Sequence, residues 1–488
     1  MSNKFVIGLD IGTTSVKAVA FNKEGQVLSE VEENLRLKTK KKGWAEQDPL
    51  EIENATITAI RNAITKGRLN PNLLEIIGIS SAMHSIICVD MDGNPLSPAI
   101  IWADGRAAEQ AKLLKKDKSN VWYKETGTPI HPMTPFVKLL WMKENKYEPY
   151  VKASKFLSIK EFLLSRWFGL SIVDYSIASS SGMFNIHTFS WHKRALDLLG
   201  VSEEKLSTPV SPTTVLEGLH KSVANQLGIL PSTKFAIGSS DGHLANLGTS
   251  AIGEGELAVT IGTSGAIRQM APSPSINRDE KTFCYPFNES LFLIGGATNN
   301  GAIVMQWLKD FLSYEESMDS FIEMAKDVQP GAEGVLFLPF INGERAPLWN
   351  SEVSGEFYGL SISHKREHLV RACLEGIIYN IYHIGLALEE MRGPARKIVA
   401  SGGFAKSELW LQILADVFNK EVVVPISHQS SAWGAAWLAL YSVGEVANLM
   451  DIKQHTPIKK VILPKMESHE RYMEVFRAFK KLSERLLE

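Results

Sequence analysis

The stretch GLDIGTTSVKAVAF, residues 8–21, sets an acid, a glycine and three small hydroxyls at a corner between two apolar runs. Residues 6–9 and 16–21 read as strands, and 27–31 follows after a turn at 22–25, so the segment predicts an antiparallel meander. At the corner, Gly12 lets backbone N–H groups approach an anion, while Thr13, Thr14 and Ser15 add hydroxyl donors. Lys17 brings a positive charge and Asp10 a negative one. An acid beside a phosphate site makes sense when a divalent cation lies between them, because Mg2+ is held by one or two carboxylates plus phosphate oxygens. An ordinary hairpin turn is the competing reading.

A second copy of the corner answers that competitor. Ile261-Gly262-Thr263-Ser264-Gly265 echoes the first string and also follows a strand-like run, 257–260. One copy opens each half of the chain, which predicts a duplicated domain with a boundary near Gly253, giving 1–253 and 254–488. A third turn, in IVASGGFAKSELWLQILADVF (398–418), runs from a strand through Gly402 and Gly403 into a helix near Ser407. Such a corner receives a nucleoside or its α-phosphate at the helix start. No G-x-x-x-x-G-K-[ST] string occurs, which excludes a P-loop site.

Outward from these corners, apolar runs alternate with helical patterns, as in an α/β protein. Residues 49–63 read as a helix capped by Asp48 with Pro49 at its first position. Residues 76–79 and 86–89 read as strands, 105–235 as mostly helical, and 467–486 as a terminal helix with Tyr472, Phe476, Phe479 and Leu482 on its packed stripe.

The chain has 488 residues, 44% of them hydrophobic, and a net charge of -2. Nothing in that balance calls for nucleic acid. Three scattered cysteines argue against a disulfide framework, and no run nears the ~20 apolar residues of a membrane span. The expectation is a cytoplasmic enzyme. The basic run 38–42 reads as a solvated loop.

Two hydroxyl-rich hairpins and a GG corner resemble the actin, Hsp70 and sugar-kinase superfamily. Within it, MTPFVKLLWMKEN (133–145) and GEFYGLSISHKREHLVRACLE (355–375) are similar to the two signatures of the FGGY carbohydrate kinases at every constrained position. The resemblance implies two actin-like (ribonuclease H-like) ATPase domains with a nucleotide cleft between them. It implies ATP and Mg2+ as cofactors, and a small sugar acid or polyol as substrate, with a homodimer left open. Asp241, in FAIGSSDGHLANLG, matches the family's general base, and Asp10 would hold the metal. Such a base takes the proton that the attacking hydroxyl loses.

Met83 and His84 match a Met-His pair that contacts the sugar in xylulokinases. Trp102, Asp104 and Arg106 follow; Trp102 suits an apolar sugar face or the core, and the two charges suit the sugar or each other. GWAEQDP (43–49), TGTPIHPMTP (126–135) and NGERAPLWN (342–350) are most similar to gluconate kinases, which implies conversion of D-gluconate to 6-phospho-D-gluconate. A carboxylate substrate needs a cation, and His131, Arg106 and Arg345 are the candidates. Gly301 and Gln306 match nucleotide-side positions, and Gly403 and Ser407 adenosine-side ones. SSAWGAAWLAL (430–440) begins on serine where many relatives carry an acid. A xylulokinase or other pentulose or polyol kinase is the alternative, and an actin- or Hsp70-like ATPase a more distant one.

Two strings are set aside. HKREH (364–368) fits H-x-x-E-H, yet it lies inside the second signature at a helix start read as capped by Ser363. GEGELA (253–258) precedes a strand, the wrong context for a dinucleotide fingerprint.

Overall fold

The computed structural model describes residues 4–116, 121–426 and 429–486 and places one mixed sheet in each half of the chain. The first contains β1 (Phe5–Ile11), β2 (Ser15–Phe21), β3 (Val27–Asn34), β4 (Leu74–Ser81), β5 (Val215–Leu216) and β6 (Lys234–Ser240). Its order is β5-β6-β4-β1-β2-β3. The meander β1-β2-β3 is antiparallel, β4 is parallel to β1, and β6 is parallel to β4.

The second sheet contains β7 (Glu256–Ile261), β8 (Gly265–Ala271), β9 (Phe283–Asn288), β10 (Leu291–Thr298), β11 (Lys397–Ser401), β12 (Glu421–Pro425) and β13 (Ile458–Ile462). Its order is β9-β10-β8-β7-β11-β12-β13. Antiparallel β7-β8-β10 and parallel β7-β11-β12 repeat the first sheet's core, strand for strand. The two echoed corners therefore occupy equivalent places. Gly12 N donates to the Ser15 carbonyl at 3.0 Å, and Gly262 N to the Ser264 carbonyl at 2.9 Å.

Ten helices carry the argument: α1 (Pro49–Lys66), α2 (Pro135–Glu144), α3 (Ile159–Phe168), α4 (Tyr175–Ser180), α5 (Asp241–Gly248), α6 (Ala302–Phe311), α7 (Arg366–Arg392), α8 (Glu408–Phe418), α9 (Ser430–Ser442) and α10 (Met466–Arg485). Asp48 caps α1 by accepting from Leu50 N at 3.1 Å, with Pro49 in the first turn, as its sequence predicts. The segment between β4 and β6 is less purely helical than its sequence suggests, because short strands at Lys155–Leu157, Ile172–Asp174 and Thr208–Val210 punctuate it.

Strand alternation decides what each sheet face meets. Phe5, Ile7 and Leu9 of β1 join Ile77 and Ile79 of β4 in a core closed by α1 and α3. Val6, Val19, Ile76 and Ala236 face the other way and pack against α9 through Ala432, Trp433, Ala435 and Ala439. So α9, late in the chain, docks on the sheet formed by the first half. In exchange, Leu244 and Leu247 of α5 share that seam with Met270, Phe283 and Leu293 of the second sheet.

The two helices cross where neither carries a side chain. A Cβ on Gly434 would lie 2.0 Å from the Leu244 carbonyl oxygen, and one on Gly248 would lie 1.8 Å from that of Ser430. At the far end, Tyr472 of α10 accepts from Arg371 of α7 at 2.6 Å, and Arg371 pairs with Glu375 at 2.7 Å.

Candidate active site

The β1–β2 and β7–β8 corners face each other across a cavity of about 370 Å3. Thr13 and Thr14 line it from one side; Gly262, Thr263 and Ser264 line it from the other. Gln47 steadies the first corner by donating to the Thr13 carbonyl at 2.8 Å. Gly301, just before α6, steadies the second: Ala302 N donates to the Gly262 carbonyl at 2.7 Å, and a Cβ on Gly301 would lie 2.6 Å from that same oxygen.

Asp241 opens into this cavity as the first residue of α5. A buried polar lattice holds the corner behind it. Lys160 pairs with Asp174 at 2.7 Å and donates to the Ser239 carbonyl at 3.0 Å. The Ser176 hydroxyl accepts from both Ser239 Oγ and Ser240 N at 2.8 Å. Ser240 Oγ caps α5 and lies 2.7 Å from His243 Nδ1. Burial raises the Asp241 pKa, opposed by Arg268, Arg345 and Lys160.

Asp10, at the end of β1, accepts from Ser80 Oγ at 2.8 Å. Burial, reinforced by the Asp241 charge, raises its pKa to about 6 against the pull of Ser80 and Lys17. A carboxylate whose proton is held by burial and by a second carboxylate invites a cation, so Asp10 fits Mg2+ shared with phosphate oxygens. Among the described residues no group of three or more His, Cys, Asp or Glu side chains gathers to hold a metal alone.

The same crowding gives a stability prediction. Asp10→Asn removes a desolvated negative charge and stabilises the ligand-free protein at pH 7 by on the order of 2 kcal/mol. Native Asp10 takes its proton near pH 6 and the unfolded carboxyl only near 3.8. The advantage of Asn therefore shrinks as pH falls from 6 to 4. Urea unfolding of both proteins at pH 7 and pH 4 measures it.

Met83, His84 and Trp102 line the same cavity. His84 sits in the left-handed region at φ 69, and its carbonyl accepts from Lys138 at 2.8 Å. Its Nδ1 lies 2.8 Å from the Ser180 carbonyl, so Nδ1 carries the proton and Nε2 is left as an acceptor. Burial and Lys138 push its pKa down to about 3, which keeps the ring neutral. Arg345 stacks over Trp102 at 4.7 Å and donates to the Thr298 carbonyl at 2.9 Å. Its neighbour Glu344 is buried and fully used, accepting from Thr298, Asn299, Asn380 and the Arg345 amide.

Other sequence candidates lie elsewhere. Asp104 and Arg106 do not line the cavity. They form a buried pair at 2.8 Å, Arg106 also pairs with Glu46 at 2.7 Å and stacks over Trp44 at 3.6 Å, and Asp104 accepts from Ala45 N at 2.6 Å. Both charges are paired inside the protein, with Arg106 Nη1 alone left without an acceptor. His131 is not a lining residue; its ring is 5.8 Å from that of Trp349, which is, and Nδ1 accepts from Met133 N while Nε2 is buried without a partner. Lys17 pairs with Glu32 at 3.6 Å, and Ser15 bonds the same carboxylate at 2.6 Å. Gln306 is exposed and bonds Asp310 at 2.8 Å along its own helix. Gly402 (φ 96) and Gly403 follow β11 beside the end of β7, and Ser407 caps α8 through Trp410 N.

The structure adds Met133, Arg268, Phe283, Tyr285 and Trp349 to the lining. It also settles the H-x-x-E-H string. His364 Nδ1 and His368 Nδ1 accept from the amides of Ser361 and Lys365, and both Nε2 atoms face Glu333. The helix there starts at Arg366 with Lys365 at its cap position, two residues later than a Ser363 cap implies.

Comparison with known proteins agrees with this geometry. The N-terminal domain of the FGGY family of carbohydrate kinases matches residues 5–248, and its C-terminal domain matches residues 257–443. A gluconokinase of Bacillus licheniformis is 42% identical, covering 99% of this chain and 96% of that protein. Two crystal structures from Lactobacillus acidophilus, one of a gluconate kinase and one of a ligand-bound xylulose kinase, each superpose with a TM-score of 0.95 at 34% identity, covering 99% of this chain and 98% of theirs. With its actin-like pair of α/β domains and both family patterns in order, the chain belongs to the FGGY family of carbohydrate kinases.

Proposed function

We propose that the protein transfers the γ-phosphoryl group of ATP to the 6-hydroxyl of D-gluconate, giving 6-phospho-D-gluconate. One observation carries the reading: Asp241 lines a single cavity together with two phosphate-type corners and two guanidiniums, Arg268 and Arg345. That cavity suits a hydroxylated chain ending in an anion better than a neutral polyol. The gluconokinase relative points the same way.

In this reading the Thr13 and Thr263 corners bind the triphosphate from both sides, with Gly402, Gly403 and Ser407 toward the nucleoside. Asp10 would hold Mg2+, which supplies charge neutralisation on the phosphates. Asp241 orients the acceptor hydroxyl and takes its proton as the new P–O bond forms. His84 Nε2 accepts from a sugar hydroxyl, and Met83 and Trp102 give an apolar wall. Because burial raises the Asp241 pKa, kcat/KM falls toward acid pH at a higher pH than for an exposed aspartate.

Xylulose is the second reading, favoured by Met83 and His84 on the cavity wall. A coupled ADP-release assay across gluconate, xylulose, ribulose, fuculose and glycerol separates the two. Gluconate is expected to exceed the others in kcat/KM by about tenfold or more, a margin of ~1.4 kcal/mol; xylulose turnover without gluconate turnover would replace the substrate. The cytoplasm is the proposed place of action. All three cysteines are free and buried, and no described helix is long and apolar enough to cross a membrane.

A further inference from the structure

We infer that Arg268 is the residue that grips the carboxylate of the substrate and sets the preference for a sugar acid over a neutral polyol. The inference rests on the gluconate reading above and adds a residue that the sequence motifs do not mark.

Arg268 lies on β8, whose residues alternate between the second-sheet core and the seam with α5. Ile267 points into the core. Ala266 lines the cavity, and Met270 is buried in the seam. Arg268 occupies the position between them on that same face, where the row otherwise calls for apolar side chains. The space around it is cleared on two sides. A Cβ on Gly295, its partner across β10, would lie 3.1 Å from Arg268 Cγ, and one on Gly242 would lie 3.2 Å from its Nε.

Its guanidinium nevertheless has no partner of its own. Among the described residues no hydrogen bond to it and no ion pair within 4.0 Å is present, and Nη1 is buried without an acceptor. Asp241 influences it only from beyond pairing distance. The other cations near the site each hold at least one partner. Arg345 bonds the Thr298 carbonyl and stacks on Trp102 with its Nε left over, Lys138 bonds three carbonyls, Lys160 pairs with Asp174, and Arg106 pairs with Asp104 and Glu46 with its Nη1 left over.

A half-buried planar fork with open N–H groups on a cavity wall is matched by a planar anion with two oxygens. A polyol has no such group, so it would leave the guanidinium unanswered. With its acceptor hydroxyl at Asp241, a six-carbon acid would lay its chain over the Met83, His84 and Trp102 wall and turn its carboxylate toward Arg268, with Arg345 nearby.

The test compares D-gluconate with D-glucitol, which has the same carbon chain but a hydroxymethyl group where gluconate has its carboxylate. Kinetics are measured for the unmodified enzyme, R268Q and R268K. Losing a charge-assisted bidentate contact should lower gluconate kcat/KM by about 100-fold in R268Q, chiefly through KM. The gluconate-to-glucitol ratio should fall at least about tenfold, with R268K between the two. Glucitol turnover reports the fold in the same samples. Equal losses on both substrates would overturn the inference and make Arg268 a counter-ion to Asp241 or to the transferred phosphoryl group. An unchanged gluconate KM would also overturn it. Xylulose turnover without gluconate turnover in the unmodified enzyme sinks the substrate reading itself, an outcome distinct from either.

Discussion

Asp241→Asn is expected to lower kcat by about 10²–10⁴-fold, the range that general-base assistance supplies. Nucleotide affinity should stay within a few-fold, because the phosphate corners are separate from α5. The Asn side chain keeps the size of the carboxylate and the cap geometry of Ser240, so the loss reads the proton acceptor alone. The part of the acid limb of the kcat/KM profile that Asp241 sets should disappear with it, leaving the part set by Asp10 at the metal position. Steady-state kinetics from pH 5 to 8, with titration of a non-hydrolysable ATP analogue, measure both effects. Full activity in the variant would remove Asp241 from the chemistry.

Gly434→Ala and Gly248→Ala should each destabilise the protein by about 3 kcal/mol, at the upper end of overpacking effects. The atoms in the way are backbone carbonyl oxygens of the partner helix, 2.0 Å and 1.8 Å from the added Cβ, so no rotamer change relieves the clash. The helices must separate, and with them the two sheets. Gly105→Ala is the control, because its added Cβ would meet only the Gly43 carbonyl oxygen at 3.6 Å. It should stay within about 1 kcal/mol of the unmodified protein. Urea midpoints for the three variants give the comparison, and equal midpoints would mean that the crossing yields without strain.

Much of the scaffold is legible in the sequence because it is local. The meander at residues 5–34, the capped helix α1 and the two echoed corners all follow from short-range patterns of apolar runs, glycines and caps. The helix exchange is not legible. The alanines and the single glycine in SSAWGAAWLAL suit any tightly packed helix, and nothing local says that the surface beneath belongs to the other half.

Site residues divide the same way. Thr13, Thr263 and Asp241 sit in motifs, and the structure brings them to one cavity. Asp104 and Arg106 carry the right chemistry, but Glu46 and Trp44, distant in sequence, absorb it. Arg268 is the reverse case. Its one local signal is a charge in the inward row of an apolar strand, Ala266-Arg268-Met270, and only the second sheet's pairing turns that irregularity into a position.

The exchanged helix also orders events in time. While the chain is being made, the first sheet emerges complete but with one apolar face bare, and the segment that covers it, α9, begins only at Ser430. At about 5–20 residues per second, the ribosome takes roughly ten to forty seconds to deliver it. For that interval the nascent amino-terminal half is an adhesive surface in need of shelter, and a fragment truncated before α9 would never lose it.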